Sequence, residues 1–220
     1  MLATHDSLSS YPVKYFFLKP FNFMAGCQAK NLTEQYMDGA RSFDLRFAKH
    51  RGKWYGAHGM QIYDITLEKS LDILMNLSRQ EPLYFRVLCE DTFYKKSDYN
   101  ELYKEIIRYL SGKNHHLKLL YAGSKRDWNN RINTKFVNET ENYDTYPMMG
   151  NDRKNLCLRV ARMYELETAD DKINFIGCYE SSGIPRLLGL PFPKIAANAL
   201  TPIAKTKKWK ENDCPVVDFI

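Results

Sequence analysis

The chain has 220 residues, 44% hydrophobic and 26% charged, which is ordinary globular usage and excludes a disordered, collagen-like or low-complexity chain. Lys and Arg number 32 against 26 Asp and Glu, a net charge of +6; that mild excess suits an anionic partner (a phospholipid surface, a phosphorylated substrate or nucleic acid) without choosing among them. No apolar run approaches the ~18 residues that a membrane span needs, and the segment from Met1 to Asp6 has neither the basic nor the apolar region of a secretory signal.

In chain order, residues 2–4 read as a short first strand. Residues 31–39 read as a helix: Asn31 caps it, Glu34 completes a capping box and Gly39 ends it. Residues 41–47 alternate, with Ser42, Asp44 and Arg46 on one face and Phe43, Leu45 and Phe47 on the other. Residues 54–58 form a short strand, and Thr66 opens a helix carrying Leu67, Leu71, Leu74 and Leu77. Residues 83–89 are a strand, Ser97 opens a helix that ends near Gly112, and 117–121 is a strand. A helix follows at 151–163, a strand at 173–178, a helix at 192–204 interrupted at Pro202, and a last strand at 215–220. No repeat or linker divides the chain, so residues 1–220 form one domain.

Strand–helix alternation implies parallel strands with helical crossovers. Seven strands plus an unassigned stretch at 125–146 point to an α/β fold, a trimmed and distorted (β/α)8 TIM-type barrel; typical barrels have about 250 residues. The cysteines, Cys27, Cys89, Cys157, Cys178 and Cys214, are odd in number, widely spaced and without a CxxC pair. They read as free thiols of a reducing compartment rather than a disulfide framework or a zinc site.

In such barrels catalytic groups lie at the C-terminal ends of strands. His5 and Asp6 end the first strand, Asp44 and Arg46 lie at the end of the second, His58 ends the third and Asp218 lies near the end of the last. First and last strands are neighbours in a closed barrel, which brings His5 to Asp218. Taken singly, each residue has a plain structural reading: His5 as a surface residue, His58 as a packed histidine, Arg46 as the ion-pair partner of Asp44. Together at strand ends they describe an acid–base pair around an anion site. His115 and His116 follow Gly112 in a polar turn and read as solvated.

At these residues the sequence resembles a known family, the phosphatidylinositol-specific phospholipase C X domain. Thr4-His5-Asp6-Ser7 is similar to its opening GTHDS motif, Gly39 to Arg46 to its GxRxFDxR strand, His58-Gly59 to its HG, Gln28 to a frequent glutamine before the first helix, and Val216-Val217-Asp218-Phe219 to its terminal strand. The likeness runs in order from residue 3 to residue 219. It favours the bacterial, metal-independent branch, because Asp6 and Arg46 stand where the calcium-dependent branch has an asparagine and an acidic residue. A guanidinium among carboxylates does a cation's work on phosphate and repels a divalent ion. No metal and no cofactor are therefore expected, and His5, Asp44 and His58 are not read as metal ligands.

The resemblance implies cleavage of phosphatidylinositol to diacylglycerol and inositol 1,2-cyclic phosphate, a phosphorus–oxygen lyase reaction with the inositol 2-hydroxyl as nucleophile. It implies His5 as general base oriented by Asp218, Arg46 on the phosphate, and His58 assisted by Asp6 as general acid. Carboxylate partners are expected to raise both histidine pKa values. Asp144 and Tyr146 resemble the family's Asp-x-Tyr that holds the inositol ring, and Asp44 joins them as a substrate-binding candidate. Leu88 stands where bacterial members carry a lysine, with Arg86, Glu90 and Asp91 nearby; Lys125 and Arg126 are candidates for a further family arginine. Residues 11–24 carry Tyr15, Phe16, Phe17 and Phe21 with Lys14 and Lys19 interleaved, a pattern for lipid-interface contact whose other reading is aromatic packing beneath the loop.

The expected partner is phosphatidylinositol or a related phospholipid at a membrane surface, with no nucleic acid and no stable protein partner. The expected location is cytoplasmic or peripheral to a membrane, or secreted if the N-terminus is truncated. The competing readings are a phosphodiesterase for another head group (a glycosylated inositol lipid or a glycerophosphodiester) and a non-catalytic lipid-binding module.

Overall fold

In a computed structural model, the chain is described over residues 1–91, 98–124, 137–140, 173–178 and 193–220. Strand β1 (Leu2–Thr4) leads through a 3-10 segment (Phe16–Met24) to helix α1 (Leu32–Met37). Asn31 caps α1 by accepting from the amides of Thr33 and Glu34, and the Glu34 carboxylate accepts from the Asn31 amide in return. Gly39, at φ +100°, turns the chain into β2 (Ala40–His50). Then come β3 (Lys53–His58), β4 (Gln61–Thr66), α2 (Leu67–Leu77), β5 (Leu83–Cys89), α3 (Tyr99–Leu110), β6 (Leu117–Ser124), β7 (Val137–Thr140), β8 (Ile173–Cys178), α4 (Pro193–Thr206, with Pro202 inside) and β9 (Asp213–Val217). The cap of α3 is Asp98, one residue beyond the expected Ser97.

The strands make one mixed sheet. Its parallel pairs give the order β6–β5–β2–β1–β9–β8–β7, and β3 and β4 leave the far half of β2 as an antiparallel hairpin. One expectation is corrected here. Residues 54–58 are not a parallel barrel strand: Arg51 and Gly52 both adopt positive φ, 47° and 79°, and this two-residue turn folds β3 back along β2. Asp44 and Arg46 consequently lie in the middle of β2 rather than at its end. The mixed α/β fold is as expected. Among the described residues the sheet is open between β6 and β7, and the residues between them, 125–136, lie outside the described residues, as does the expected helix at 151–163.

Alternation along each strand separates two kinds of interior. Phe43, Leu45, Phe47, Phe85 and Val87 are buried in the large apolar cluster with Leu71 and Leu74 of α2 and Leu102 and Ile106 of α3. The residues between them on β2 and β5 (Ser42, Asp44, Arg46, Arg86, Leu88) face the other way. Among the described residues that side holds a small apolar cluster of Ala3, Leu88, Cys214 and Val216 together with buried charged groups. One face of the sheet thus supplies packing energy, and the other holds polar chemistry. Phe43 is fully buried in the first; Phe43→Ala should lower unfolding free energy by about 3–5 kcal/mol in urea titration, with the denaturant slope unchanged.

Candidate active site

His5 and Asp218 meet because β1 and β9 pair in parallel, Ala3 opposite Val216 and Thr4 opposite Val217. The His5 amide continues the ladder to the Val217 carbonyl oxygen at 2.8 Å. His5 Nδ1 lies 2.7 Å from Asp218 Oδ1, and both residues are at most 4% exposed, so the surface reading of His5 does not hold. A carboxylate accepting at Nδ1 places the ring proton there and leaves Nε2 as the basic nitrogen. Gln28 clamps the two strand ends: its Nε2 donates to the carbonyl oxygens of His5 (3.0 Å) and Val217 (2.9 Å), and its Oε1 accepts from the Ile220 amide. Thr201 Oγ1 of α4 donates to the Asp218 carbonyl oxygen at 2.6 Å.

His58 returns to this face on the antiparallel β3. Its ring lies edge-on to that of His5, centroids 5.9 Å apart and planes at 87°. His58 Nδ1 is 2.8 Å from the Ala25 carbonyl oxygen, at which its N–H is directed, and 2.8 Å from Asp6 Oδ2, which adds charge beside it. Asp6 sits at φ 42°, in the left-handed region that Asp tolerates better than most residues. The turn is pinned by the Asp6 amide on Asp44 Oδ2 (3.1 Å), the Ser7 amide on the Asp44 carbonyl oxygen (2.8 Å) and Ser9 Oγ on the Asp6 carbonyl oxygen (2.7 Å). The THDS sequence is therefore a strand end followed by a tight turn seated on β2.

Asp44 is the centre of a buried charge network. Arg46 Nε and a terminal nitrogen lie 3.0 and 2.9 Å from Asp44 Oδ2, and Arg86 Nε lies 3.0 Å from Oδ1. Arg46 also reaches Glu90 Oε1 at 3.4 Å. The register places Asp44 opposite Arg86 and Arg46 opposite Leu88 across β2 and β5. Burial alone pushes the Asp44 carboxyl upward, but the guanidinium groups of Arg46 and Arg86 outweigh it and hold the group far below the usual carboxylate range.

Two other groups shift with their surroundings. Burial, with the Arg46 charge adding to it, lowers His5 well below the ordinary imidazole value. The expected rise from carboxylate pairing is therefore overturned for His5. Burial raises Asp6, against the pull of the His58 charge.

All six sequence-derived residues of this cluster (His5, Asp6, Asp44, Arg46, His58 and Asp218) are brought together and are at most 4% exposed. Asp144, Tyr146, Lys125 and Arg126 lie outside the described residues. The aromatic segment is held by Val13 bridging to Tyr63 of β4. Beyond that bridge Phe16, Phe17, Phe21 and Phe23 are 83%, 58%, 44% and 50% exposed. Lys19 lies over the Phe16 ring. Lys14 instead pairs with Asp64 at 3.1 Å across the Tyr55 ring, and Tyr15 bonds His50. Sequence reasoning gave no role to Arg86, Glu90 or Cys27. The alternation of 86–90 was the available signal for the first two; nothing in the sequence marks Cys27, whose thiol lies 3.8 Å from His58 Nδ1. Among the described residues, two groups could hold a metal ion: His5, Cys27 and Asp218, and Asp6, Cys27 and His58.

No family model matches the chain, and no curated protein matches it. Solved structures do. A structure of the phosphatidylinositol-specific phospholipase C of Staphylococcus aureus, studied for its membrane binding, aligns with TM-score 0.66 at 17% identity, covering 100% of this chain and 85% of that one. A mutant of the same enzyme aligns with TM-score 0.64 at 18% identity, covering 99% and 85%. The phosphatidylinositol-specific phospholipase C of Listeria monocytogenes gives 0.64 at 16%, covering 99% and 87%. The fold is that of these bacterial phospholipases. At such identities the likeness is one of fold, and the chemistry rests on the residues described above.

The Asp44 network has a measurable acid signature. A carboxyl held below its unfolded value contributes stability that is present above that value and is lost as pH falls toward the folded one. Stability should therefore fall on acidification below about pH 4. Asp44→Asn should cost about 3–5 kcal/mol at neutral pH, because it removes the carboxylate charge shared by two buried guanidinium groups, and should flatten the acid limb of a urea-midpoint-against-pH series.

Proposed function

We propose that the chain is a phosphatidylinositol-specific phospholipase C-type phosphodiesterase that releases diacylglycerol and forms inositol 1,2-cyclic phosphate. The observation that carries the reading is the pair of buried histidine–carboxylate units, ring centroids 5.9 Å apart, beside an arginine in the same pocket of charge. The fold shared with the bacterial phospholipases supports it, and closure of the sheet into a (β/α)8-type barrel belongs to the same reading.

His5 Nε2 takes the proton of the inositol 2-hydroxyl as its oxygen bonds to phosphorus. The lowered pKa keeps that nitrogen unprotonated at neutral pH, as a base requires. Asp218 positions the ring and stabilises the imidazolium once formed. Arg46 binds the phosphate oxygens through the transition state, and Asp44, rather than touching the ring hydroxyls, fixes the guanidinium in place. His58, charged beside Asp6, gives its proton to the departing diacylglycerol oxygen as the phosphorus–oxygen bond breaks. The nucleophile belongs to the substrate, so much of the entropic barrier is removed on binding. Asp144 and Tyr146 are assigned to the inositol ring.

Phosphorus NMR of the protein with phosphatidylinositol vesicles in excess EDTA should show the cyclic phosphate. His5→Ala and His58→Ala should each reduce turnover by about 10²–10⁴-fold. The acid limb of kcat/KM should lie below about pH 6.5, the ordinary imidazole value, because His5 is lowered; a profile flat from about pH 5 to 9 rules out the two-histidine assignment. Cleavage that appears only after calcium is restored overturns the role of Arg46. Vesicle binding with no cleavage would favour the lipid-binding module or another head group, for which Leu88 in place of the family's lysine is the local reason.

The exposed phenylalanines are assigned to the lipid interface, with Lys19 beside them and Lys14 spent on Asp64. Burying a phenylalanine in an apolar phase contributes roughly 1.5–3 kcal/mol. Phe16→Ser with Phe17→Ser should therefore weaken vesicle partitioning at least about tenfold in a sedimentation assay while leaving hydrolysis of a water-soluble substrate unchanged.

A further inference from the structure

Cys27 stands in the middle of the polar cluster, and the proposed reaction does not use it. It is a buried thiol outside any disulfide, and its backbone is fixed on both sides. Its amide donates to Ser9 Oγ at 3.0 Å, and its carbonyl oxygen accepts from the Phe219 amide at 2.8 Å.

We propose that Cys27, His58 and Asp6, with the Ala25 carbonyl oxygen, form a binding site for a thiophilic divalent cation of the zinc or cadmium class, and that such an ion blocks the site. The binding stands on geometry alone; the block rests on the phosphodiesterase reading.

Three donors of the types that zinc takes, a thiol sulfur, an imidazole nitrogen and a carboxylate oxygen, converge here with a backbone carbonyl oxygen beside them. Cys27 Sγ is 3.8 Å from His58 Nδ1 and 3.5 Å from the Ala25 carbonyl oxygen. His58 Nδ1 is 2.8 Å from that oxygen and 2.8 Å from Asp6 Oδ2. Around a tetrahedral zinc with metal–sulfur bonds of about 2.3 Å and metal–nitrogen bonds of about 2.0–2.1 Å, neighbouring donors lie roughly 3.3–3.7 Å apart. The Cys27–Ala25 distance falls in this range and the Cys27–His58 distance lies just above it. The short His58–Ala25 separation is bridged by the ring proton and the His58–Asp6 one is the ion-pair contact beside it; both widen when an ion takes that proton's place.

A second observation points the same way. Asp6 Oδ1 is buried and accepts no hydrogen bond among the described residues, while Oδ2 faces the His58 ring nitrogen at 2.8 Å, although Asp6 is fully enclosed. A buried carboxylate with lone pairs to spare beside a thiol and an imidazole is the donor that a cation would complete. The other group, His5, Cys27 and Asp218, is less apt, because the His5–Asp218 hydrogen bond at 2.7 Å already occupies both partners.

The proton balance is simple. The thiol proton and the Nδ1 proton of the charged ring leave to solvent, Nε2 keeps its own, and the ion takes the freed sulfur and nitrogen. The one proton left on His58 is then a poor acid, because giving it up would leave a metal-bound imidazolate, so an ion here stops the acid step without touching Arg46.

The test is a titration of the chelator-stripped, full chain with cadmium chloride, read by the thiolate-to-cadmium charge-transfer absorption in the ultraviolet. That signal is independent of any substrate. One equivalent should bind with the band, and Cys27→Ser and Cys27→Ala should abolish it. His58→Ala and Asp6→Asn should weaken binding at least tenfold while His5→Ala leaves it unchanged, and replacing the solvated His115 and His116 should have no effect. A wild-type chain without the band, a band that survives loss of Cys27, or one that follows His5 instead of His58 overturns the site. Zinc should also inhibit turnover, reversibly with EDTA, and Cys27→Ser should raise the inhibitory concentration at least tenfold; equal inhibition of both forms overturns the block. A chain inactive on phosphatidylinositol still gives a decisive absorption titration, so failure of the activity reading and failure of the metal site are told apart.

Discussion

The arrangement of this molecule hangs on the carboxylate of Asp44. It takes guanidinium groups from its own strand and from β5, through Arg46 and Arg86, and it takes the amide of Asp6 from the turn after β1. Three strands are thus tied at one buried charge. Two buried guanidinium groups are costly without counter-charges, and a carboxylate shared between them, with Glu90 beside Arg46, turns that cost into fixed geometry. The guanidinium of Arg46 is held by side chains that cannot move independently of the sheet, and the turn carrying Asp6 is aligned by the same group.

Around that centre the two histidines are supported by different means. His5 is set by a parallel strand pair and a glutamine clamp, so its position is a property of sheet register. His58 is set by a hairpin turn and by the end of the 3-10 segment, where the Ala25 carbonyl oxygen meets its ring. A one-residue register slip would move either histidine to the opposite face of the sheet. The large apolar cluster on that opposite face, with Phe43, Phe47 and Phe85, makes such a slip expensive. Packing on one side of the sheet therefore protects chemistry on the other.

Much of this was legible in the sequence because the signals were local. The capping box at Asn31 and Glu34 and the apolar run of 83–89 located α1 and β5 closely, whereas the alternation of 41–47 found β2 but missed its last three residues, through His50. The meeting of His5 with Asp218 was expected from first and last strands lying side by side in a closed barrel, and the β1–β9 pairing brings it about. What failed was a matter of direction and of third dimension. A strand carries no mark of being parallel or antiparallel, so β3 was misread, although the Arg51-Gly52 turn was the clue. The pKa of His5 depends on how completely it is buried and on the Arg46 charge, neither of which spacing reveals. Arg86 looked like a neighbour of Leu88 and proved to be the second arm of the Asp44 network.

The bond between His5 and Asp218 joins residues 213 positions apart in the sequence. A ribosome delivers them at opposite ends of this stretch of synthesis, at about 5–20 residues per second. Until β9 has been made, β1 has no partner on that edge, its hydrogen-bonding groups wait unpaired, and the imidazole of His5 has no carboxylate to fix its tautomer. The emerging chain can therefore bury its apolar face around β2 and β5 early, yet it cannot possess a complete catalytic pair until nearly all of the sheet has been translated. Chain growth itself becomes the timer that separates having a core from having a site.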